Sequence, residues 1–178
     1  MKRPRSTAVA AAGAATGVVA AWIKALSEPR LQQVTERLWP PKPEQKEMVG
    51  ADPAGHPDNA PPALIVDSVT RAVAHRPATR DERVKGTLVI HYVFGAGLGA
   101  AYALLTQHRP EIARGAGSLA GAALYVLTHG TALPIQGLQE PPWRLPASAV
   151  AWGFSSHVVF GVALELLRRA VVEPISHR

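Results

Sequence analysis

The sequence predicts an all-α integral membrane protein: a four-helix bundle, readable as two degenerate helical hairpins, with a long outer loop that carries short amphipathic helices. Three observations predict it. Apolar side chains, 47% of the 178 residues, gather in blocks at 7–26, 87–105, 115–134 and 147–167. Basic residues in the short connections fall on one side of those blocks, and glycines recur at four-residue spacing in the first three and at eight in the fourth. Each block is about 20 residues long, enough at about 1.5 Å per residue to reach across a hydrocarbon core of roughly 30 Å. A bilayer leaves no partner for an unpaired backbone group, so each block is read as a helix. The mean hydropathy is near zero only because the polar, proline-rich stretch 27–86 dilutes the blocks.

The first block has two readings. Lys2, Arg3 and Arg5, an alanine-rich core and Ala-x-Ala triplets describe a cleavable signal peptide. Its full length, with Trp22 and Lys24 as interfacial anchors, favours a retained span. In the loop, Pro29 opens a helix with Leu31, Val34 and Leu38 on one face, ended by Trp39, Pro40 and Pro41. This reads as an amphipathic segment on the outer leaflet. The prolines of "PPKPEQKE" and "GADPAGHPDNAPP" indicate an extended linker. Pro61 and Pro62 then start a second loop helix, with Ile65, Val66, Val69 and Val73 on one face and Pro77 beyond its end. "ATRDERVKG" reads as a solvated charged segment leading into the second span. The connections "TQHRPEIARG" and "IQGLQEPPWRLP" are short, which makes spans two and three, and three and four, antiparallel neighbours. Trp143 and Trp152 fall near the outer surface, where indoles prefer to sit.

Charge orients the chain. Lys2, Arg3, Arg5, Arg109, Arg114, Arg168, Arg169 and Arg178 lie on one side of the spans, and the other short connection holds only Arg144. The positive-inside rule places both termini in the cytoplasm and the 27–86 loop outside. The net charge of +6 follows the membrane rather than forming a patch for nucleic acid, so the bilayer is the expected partner. There is no cysteine, which excludes disulfides, thiolate metal sites and cysteine nucleophiles.

Small residues let helix backbones approach in lipid. Gly13 and Gly17, Gly95 and Gly99, Gly117 and Gly121, and the series Gly153, His157, Gly161 supply such stripes. Lys24, His91 and His129 lie on or beside them at near-integral turns, facing inward as costly polar groups in membranes do. "HYVFG" at 91–95 and "HVVFG" at 157–161 echo one another, which puts His157 with Lys24, His91 and His129 in one polar layer if the two hairpins are copies. Glu165 precedes Arg168 and Arg169 by three and four residues, the spacing of an ion pair on one helical face.

The distal half supports a comparison. "HYVFGAGLGAAYALL", "RPEIARGAGSLAGAALYVLTHGTALPIQGL", "PPW" and "SHVVFGVALELLRR", in that order, resemble the YagU-type family of bacterial inner-membrane proteins, whose biochemical function is unknown. "TGVVAAWIKALSE" is similar at Gly17, Lys24 and Glu28, and only about 40–58 has no counterpart. The resemblance implies a bacterial inner-membrane location and a retained first helix, and supplies no catalytic residue, substrate or cofactor.

Three function classes follow. The leading expectation is a non-enzymatic membrane protein with a structural or pH-responsive histidine layer, acting as a homo-oligomer or an accessory subunit of a larger membrane complex. The second is a transporter or channel for protons, cations or a small solute. The third is a metal or haem protein in which His91, His129 and His157 ligate a divalent ion or haem iron; without that, no cofactor is expected. Ser155 and Ser156 adjoin His157, but adjacent helical positions diverge, and no hydrolase elbow, phosphate loop or HExxH occurs, so no enzyme is expected.

Overall fold

The computed structural model describes the backbone of residues 3–176 and the side chains of 6–175. Lys2, Arg178 and the side chains of Arg3 and Arg5, which enter the charge argument, lie outside the described residues. Among the described residues all regular structure is helical and no strand occurs. The α-helices are α1 (Arg3–Leu38), α2 (Pro43–Lys46), α3 (Pro61–Ala74), α4 (Arg80–His108), α5 (Ser118–Leu127), α6 (Leu133–Ile135), α7 (Ala147–Leu167) and α8 (Glu173–Ser176). Wide π turns at Thr128–Ala132 and Arg168–Val172 carry α5 into α6 and α7 into α8. Four stretches, Ser6–Leu38, Arg80–His108, Pro110–Ile135 and Ala147–Ile175, are long and apolar enough to cross a membrane.

Two boundaries differ from the sequence reading. The block ending at Leu26 and the loop helix expected from Pro29 are one 36-residue helix. Pro29 deprives the Ala25 carbonyl of its intrahelical N–H, a cost of about 3 kcal/mol, yet the helix continues. Its later turns are held laterally: Gln32 Nε2 donates to Asp52 Oδ1 at 2.9 Å and Lys46 pairs with Glu36 at 2.8 Å. "ATRDERVKG", read as a solvated charged segment leading into the second span, is exposed at Arg80, Asp81 and Lys85 and is helical from Arg80, where α4 begins. Thr79 Oγ1 accepts the Glu82 N–H at 3.2 Å while Glu82 Oε2 accepts the Thr79 N–H at 2.8 Å, a reciprocal cap that satisfies two otherwise orphaned donors.

The chain forms two compact units, one comprising the described residues of 1–28, 92–124 and 155–178, the other 29–91 and 125–154. In the first unit, helices meet in two pairs through glycine. A β-carbon added at Gly99 would overlap the Gly13 carbonyl oxygen and lie 2.6 Å from Gly17 Cα; one added at Gly161 would overlap the Gly117 carbonyl oxygen and lie 2.9 Å from Gly121 Cα. The other contacts correspond. Gly17 abuts the Gly95 carbonyl as Gly121 abuts that of His157, and Gly13 abuts the Ala103 β-carbon as Gly117 abuts that of Glu165. The α1/α4 and α5/α7 pairs are therefore the same crossing made twice.

That correspondence matches Gly99 with Gly161 and Gly95 with His157. It corrects the register of the HxVFG echo, which aligns Gly95 with Gly161 and is one helical turn out. A slip of about one turn keeps a small-residue stripe on the same face, so the echo and the contacts differ in register without changing which side packs. Ala20, Ala21 and Tyr102 pack with Phe160, Ala163 and Leu164 as the unit's core, and Val9, Ala103 and Val172 form a smaller cluster.

In the second unit, Val66 of α3 fills the space over Gly86 of α4, while Val69 and Val73 are exposed. The turn between these helices is pinned by Asp67. Its Oδ2 accepts from Arg71 Nε at 2.7 Å, and its Oδ1 accepts the Ala78 N–H at 2.8 Å. The Arg71 guanidinium and then the Ala78 N–H hold this carboxyl below the ordinary aspartate value of 3.8. A depressed folded-state value means that the contribution is complete above the ordinary value and is lost as pH falls through the lower folded one. Asp67→Asn is expected to speed hydrogen exchange at Ala78 near neutral pH, and the difference from the native chain is expected to shrink once the pH falls through the lowered folded-state value.

Candidate functional site

Ionisable side chains of the apolar helices form three groups with polar partners, around Glu28, Glu165 and His129. In the first unit, Lys24 pairs with Glu28 one turn further along α1, and Ser156 Oγ of α7 donates to the same Glu28 oxygen at 3.4 Å. Ser156 is 0% exposed, so its hydroxyl has been removed from bulk solvent. Glu28 was missed as a partner because Pro29 was read as a helix start. The i,i+4 spacing of Lys24 and Glu28 was the available signal. A carboxylate therefore accompanies Lys24.

The second group is built around Glu165 on α7, whose side chain is 0% exposed. Oε2 accepts from Arg168 Nε at 2.8 Å and from the Tyr102 hydroxyl at 3.0 Å. Oε1 accepts from Arg168 Nη2 at 3.0 Å and from Arg169 Nε at 2.6 Å. Four donors on two oxygens satisfy the carboxylate, the condition under which a buried charge is tolerated. Tyr102, which no sequence spacing singled out, brings α4 to this cluster. The π turn beginning at Arg168 follows directly after α7 and sets both guanidinium groups beside one carboxylate.

The third group lies in the second unit. His129 sits in the π turn after α5, and its Nδ1 is 2.6 Å from Gln139 Oε1. Gln139 Nε2 points to the Glu140 carbonyl at 3.4 Å, so its oxygen faces the ring. An amide oxygen only accepts; Nδ1 therefore carries the hydrogen and the neutral ring keeps its lone pair on Nε2. The ring stacks on Tyr125 at 5.3 Å with planes 13° apart, and Tyr125 meets Phe154 edge-on at 5.6 Å. Gly153, expected in a helix-packing stripe with His157 and Gly161, faces the Tyr125 ring of α5, where a β-carbon would come within 3.2 Å of Cε2.

The four members of the expected polar layer divide between the units: Lys24 and His157 belong to the first, His91 and His129 to the second. His157 is buried, with its carbonyl against Gly121, while His91 and His129 are half-buried. Among the described residues no three of His, Asp and Glu stand together as a set that could hold a metal ion.

Known proteins can now be compared. Inner membrane protein YagU of Escherichia coli (strain K12) is 28% identical over 89 residues, which cover 50% of this chain and 44% of that protein. The match thus spans less than half the length of that relative. No solved structure matches the chain. A family described as "Protein of unknown function (DUF1440)" matches residues 31–166, most of the sequence and all three groups above apart from Lys24, Glu28, Arg168 and Arg169. With four helices able to cross a bilayer, the chain is a membrane protein and belongs to the DUF1440 family.

Proposed function

We propose that the chain is a non-enzymatic, multi-pass protein of the bacterial inner membrane, with both termini cytoplasmic, whose intramembrane ionisable side chains fasten its helices and whose histidines tie that packing to pH. It acts as a homo-oligomer or as an accessory subunit of a larger membrane complex. The observation that carries this reading is that the carboxylates of Glu28 and Glu165 are engaged by the chain itself, Glu28 by Lys24 and Ser156, Glu165 by Tyr102, Arg168 and Arg169. The inner-membrane location is supported by the name of the Escherichia coli relative.

Histidine gains a proton near pH 6.5 in its ordinary state, and each added charge inside apolar helices costs desolvation. Stability in detergent is expected to fall as pH drops from 8 to 5. In the variant carrying His91→Ala, His129→Ala and His157→Ala it is expected to be flat over that interval. Identical pH profiles for the two proteins would overturn the histidine part of the proposal.

The Lys24–Glu28 pair favours a second reading, passage of a proton, cation or small solute, because charged side chains inside a span mark ion pathways by default. Purified protein in liposomes that carries no flux of protons or alkali cations at pH 5 or pH 8 would count against it.

A further inference from the structure

We propose that the second unit binds a small zwitterion, an oxyanion and an ammonium group on one molecule, between α1, α4 and α7 at Gln32, Arg83, Thr87 and Trp152. Such a site goes beyond the fastening of helices and does not rest on it.

Among the described residues, the buried side-chain polar atoms that meet no partner are Gln32 Oε1, Arg83 Nε, Thr87 Oγ1 and Trp152 Nε1. All four belong to the second unit. A buried polar group left unpaired is costly, so such groups in a native chain call for a partner. Trp152 is 7% exposed, although an indole seated at the membrane interface would show its edge to the headgroups, and Gln32 is 5% exposed. The orientation of the Gln32 amide is fixed. Its Nε2 donates to Glu36 Oε1 and to Asp52 Oδ1, each at 2.9 Å, and carboxylates only accept, so Oε1 is turned the other way. Thr87 is unusual for a threonine within a helix. Thr35, Thr70 and Thr106 each donate to the carbonyl four residues back, whereas the Thr87 hydroxyl makes no such bond.

The register of the helices places these residues in one layer. α1 and α7 run antiparallel, with Val9 clustered with Val172 and, further along, Glu28 against Ser156. Gln32 lies one turn beyond Glu28 and Trp152 one turn before Ser156, so they share a level and extend the two contacting faces. α1 and α4 are antiparallel too, since Gly13 abuts Ala103 and Gly95 abuts Ala21. The same pace carried outward sets Gln32 at the level of Arg83 and leaves Thr87 one turn nearer Gly95. Arg83 and Thr87 fall on the covered side of α4: they are half-buried, while Asp81, Lys85, Leu88 and Val89 are exposed.

The chemistry of the layer is two-sided. Trp152 Nε1 and Arg83 Nε are donors only, Gln32 Oε1 is an acceptor only, and the Thr87 hydroxyl serves either way. The charges behind them match. Arg71 and Arg83 both act on the carboxylate of Asp67, which leaves a positive charge over. Behind Gln32, Glu36 and Asp52 share the ammonium of Lys46, which leaves a negative charge over. An oxyanion therefore suits the Arg83 and Trp152 side, and an ammonium the Gln32 side. Water could fill both hydrogen-bonding roles but would leave the two residual charges unanswered. A free amino acid and the headgroup of phosphatidylethanolamine both carry the required pair of groups.

The Trp152 indole N–H is the direct reporter, followed by nitrogen-15 magnetic resonance of the full chain in lipid nanodiscs and assigned by its loss in Trp152→Phe. Phosphatidylcholine, whose quaternary ammonium has no N–H, supplies the reference nanodisc. Glycine and O-phosphoethanolamine are the free probes, and phosphatidylethanolamine nanodiscs are the lipid probe. A saturable shift with a free probe in phosphatidylcholine assigns the site to a solute. A signal shifted in phosphatidylethanolamine and unmoved by the free probes assigns it to a headgroup. In either case Arg83→Gln is expected to weaken binding by about tenfold or more, and Thr87→Val to weaken it less. The indole signals of Trp22, Trp39 and Trp143 show whether each variant is folded. An unmoved Trp152 signal with every probe would overturn the proposal and leave water as the partner of these atoms. So would an equal response to acetate or inorganic phosphate alone, or undiminished binding by both variants.

Discussion

Gly99→Val is expected to part α1 from α4 and to cost the protein its folded state in detergent. The new side chain would enter space held by the Gly13 carbonyl oxygen and by the N and Cα atoms of Gly17, none of which can rotate aside. Overfilling a core commonly costs about 1–3 kcal/mol when side chains can yield; with backbone on both sides the cost should reach or exceed about 3 kcal/mol. The control is two residues away. Gly97 has nothing within 4 Å of the place a β-carbon would occupy. Gly97→Ala should therefore be neutral or should stabilise α4 by roughly 0.5–1 kcal/mol, the intrinsic advantage of alanine within a helix. Thermal unfolding followed by circular dichroism, with elution profile as a check on dispersity, separates the outcomes. Equal behaviour of the two variants would remove the glycine crossing from the account.

The second large effect is expected at Glu165. Alanine there leaves the Arg168 guanidinium and the Tyr102 hydroxyl without their shared acceptor, and removing one partner of a buried pair costs about 3–5 kcal/mol. Glu165→Gln should fall between, since an amide oxygen still accepts while the charge is lost. The paired change Glu165→Leu with Arg168→Leu should recover part of the loss, because it removes the more buried arginine with its partner and leaves only the exposed Arg169 and the Tyr102 hydroxyl without their acceptor. Denaturant or dodecyl sulfate titration of the four proteins forms the comparison. If Glu165→Ala costs no more than an exposed substitution, the cluster does not fasten the helices.

The fold class was legible because a bilayer reduces the choices. Blocks of about 20 apolar residues have essentially one conformation open to them, and four such helices are present. The glycine stripes were legible for a related reason: four-residue spacing places residues on one face whatever the neighbour is. Which glycine meets which was not. A stripe that repeats each turn can slide by a turn and still present glycine, and the HxVFG echo made that one-turn slip relative to the contacts of Gly161 with Gly117 and Gly121.

The candidate site was legible only where its partners are close in sequence. Glu165, Arg168 and Arg169 follow one another at helical spacing, whereas Tyr102 reaches Glu165 from another helix and leaves no local trace. Gln139 is hidden for the same reason, since its contact with His129 depends on the path of the chain after α6. Glu28 had a local signal that a strict reading of Pro29 suppressed. Proline forbids one hydrogen bond, and a helix with enough lateral contacts beyond it continues.

The central claim is that the two helix pairs share one crossing, with Gly99 opposite Gly17 as Gly161 is opposite Gly121. At 178 residues the protein is within reach of solution magnetic resonance in small nanodiscs, and glycine α-protons report such crossings directly. The account predicts cross-relaxation between the α-protons of Gly99 and Gly17 and between those of Gly161 and Gly121. It would be contradicted if Gly161 showed no contact with Gly121 and the α5/α7 contacts instead followed the HxVFG alignment, which makes Gly161 the counterpart of Gly95.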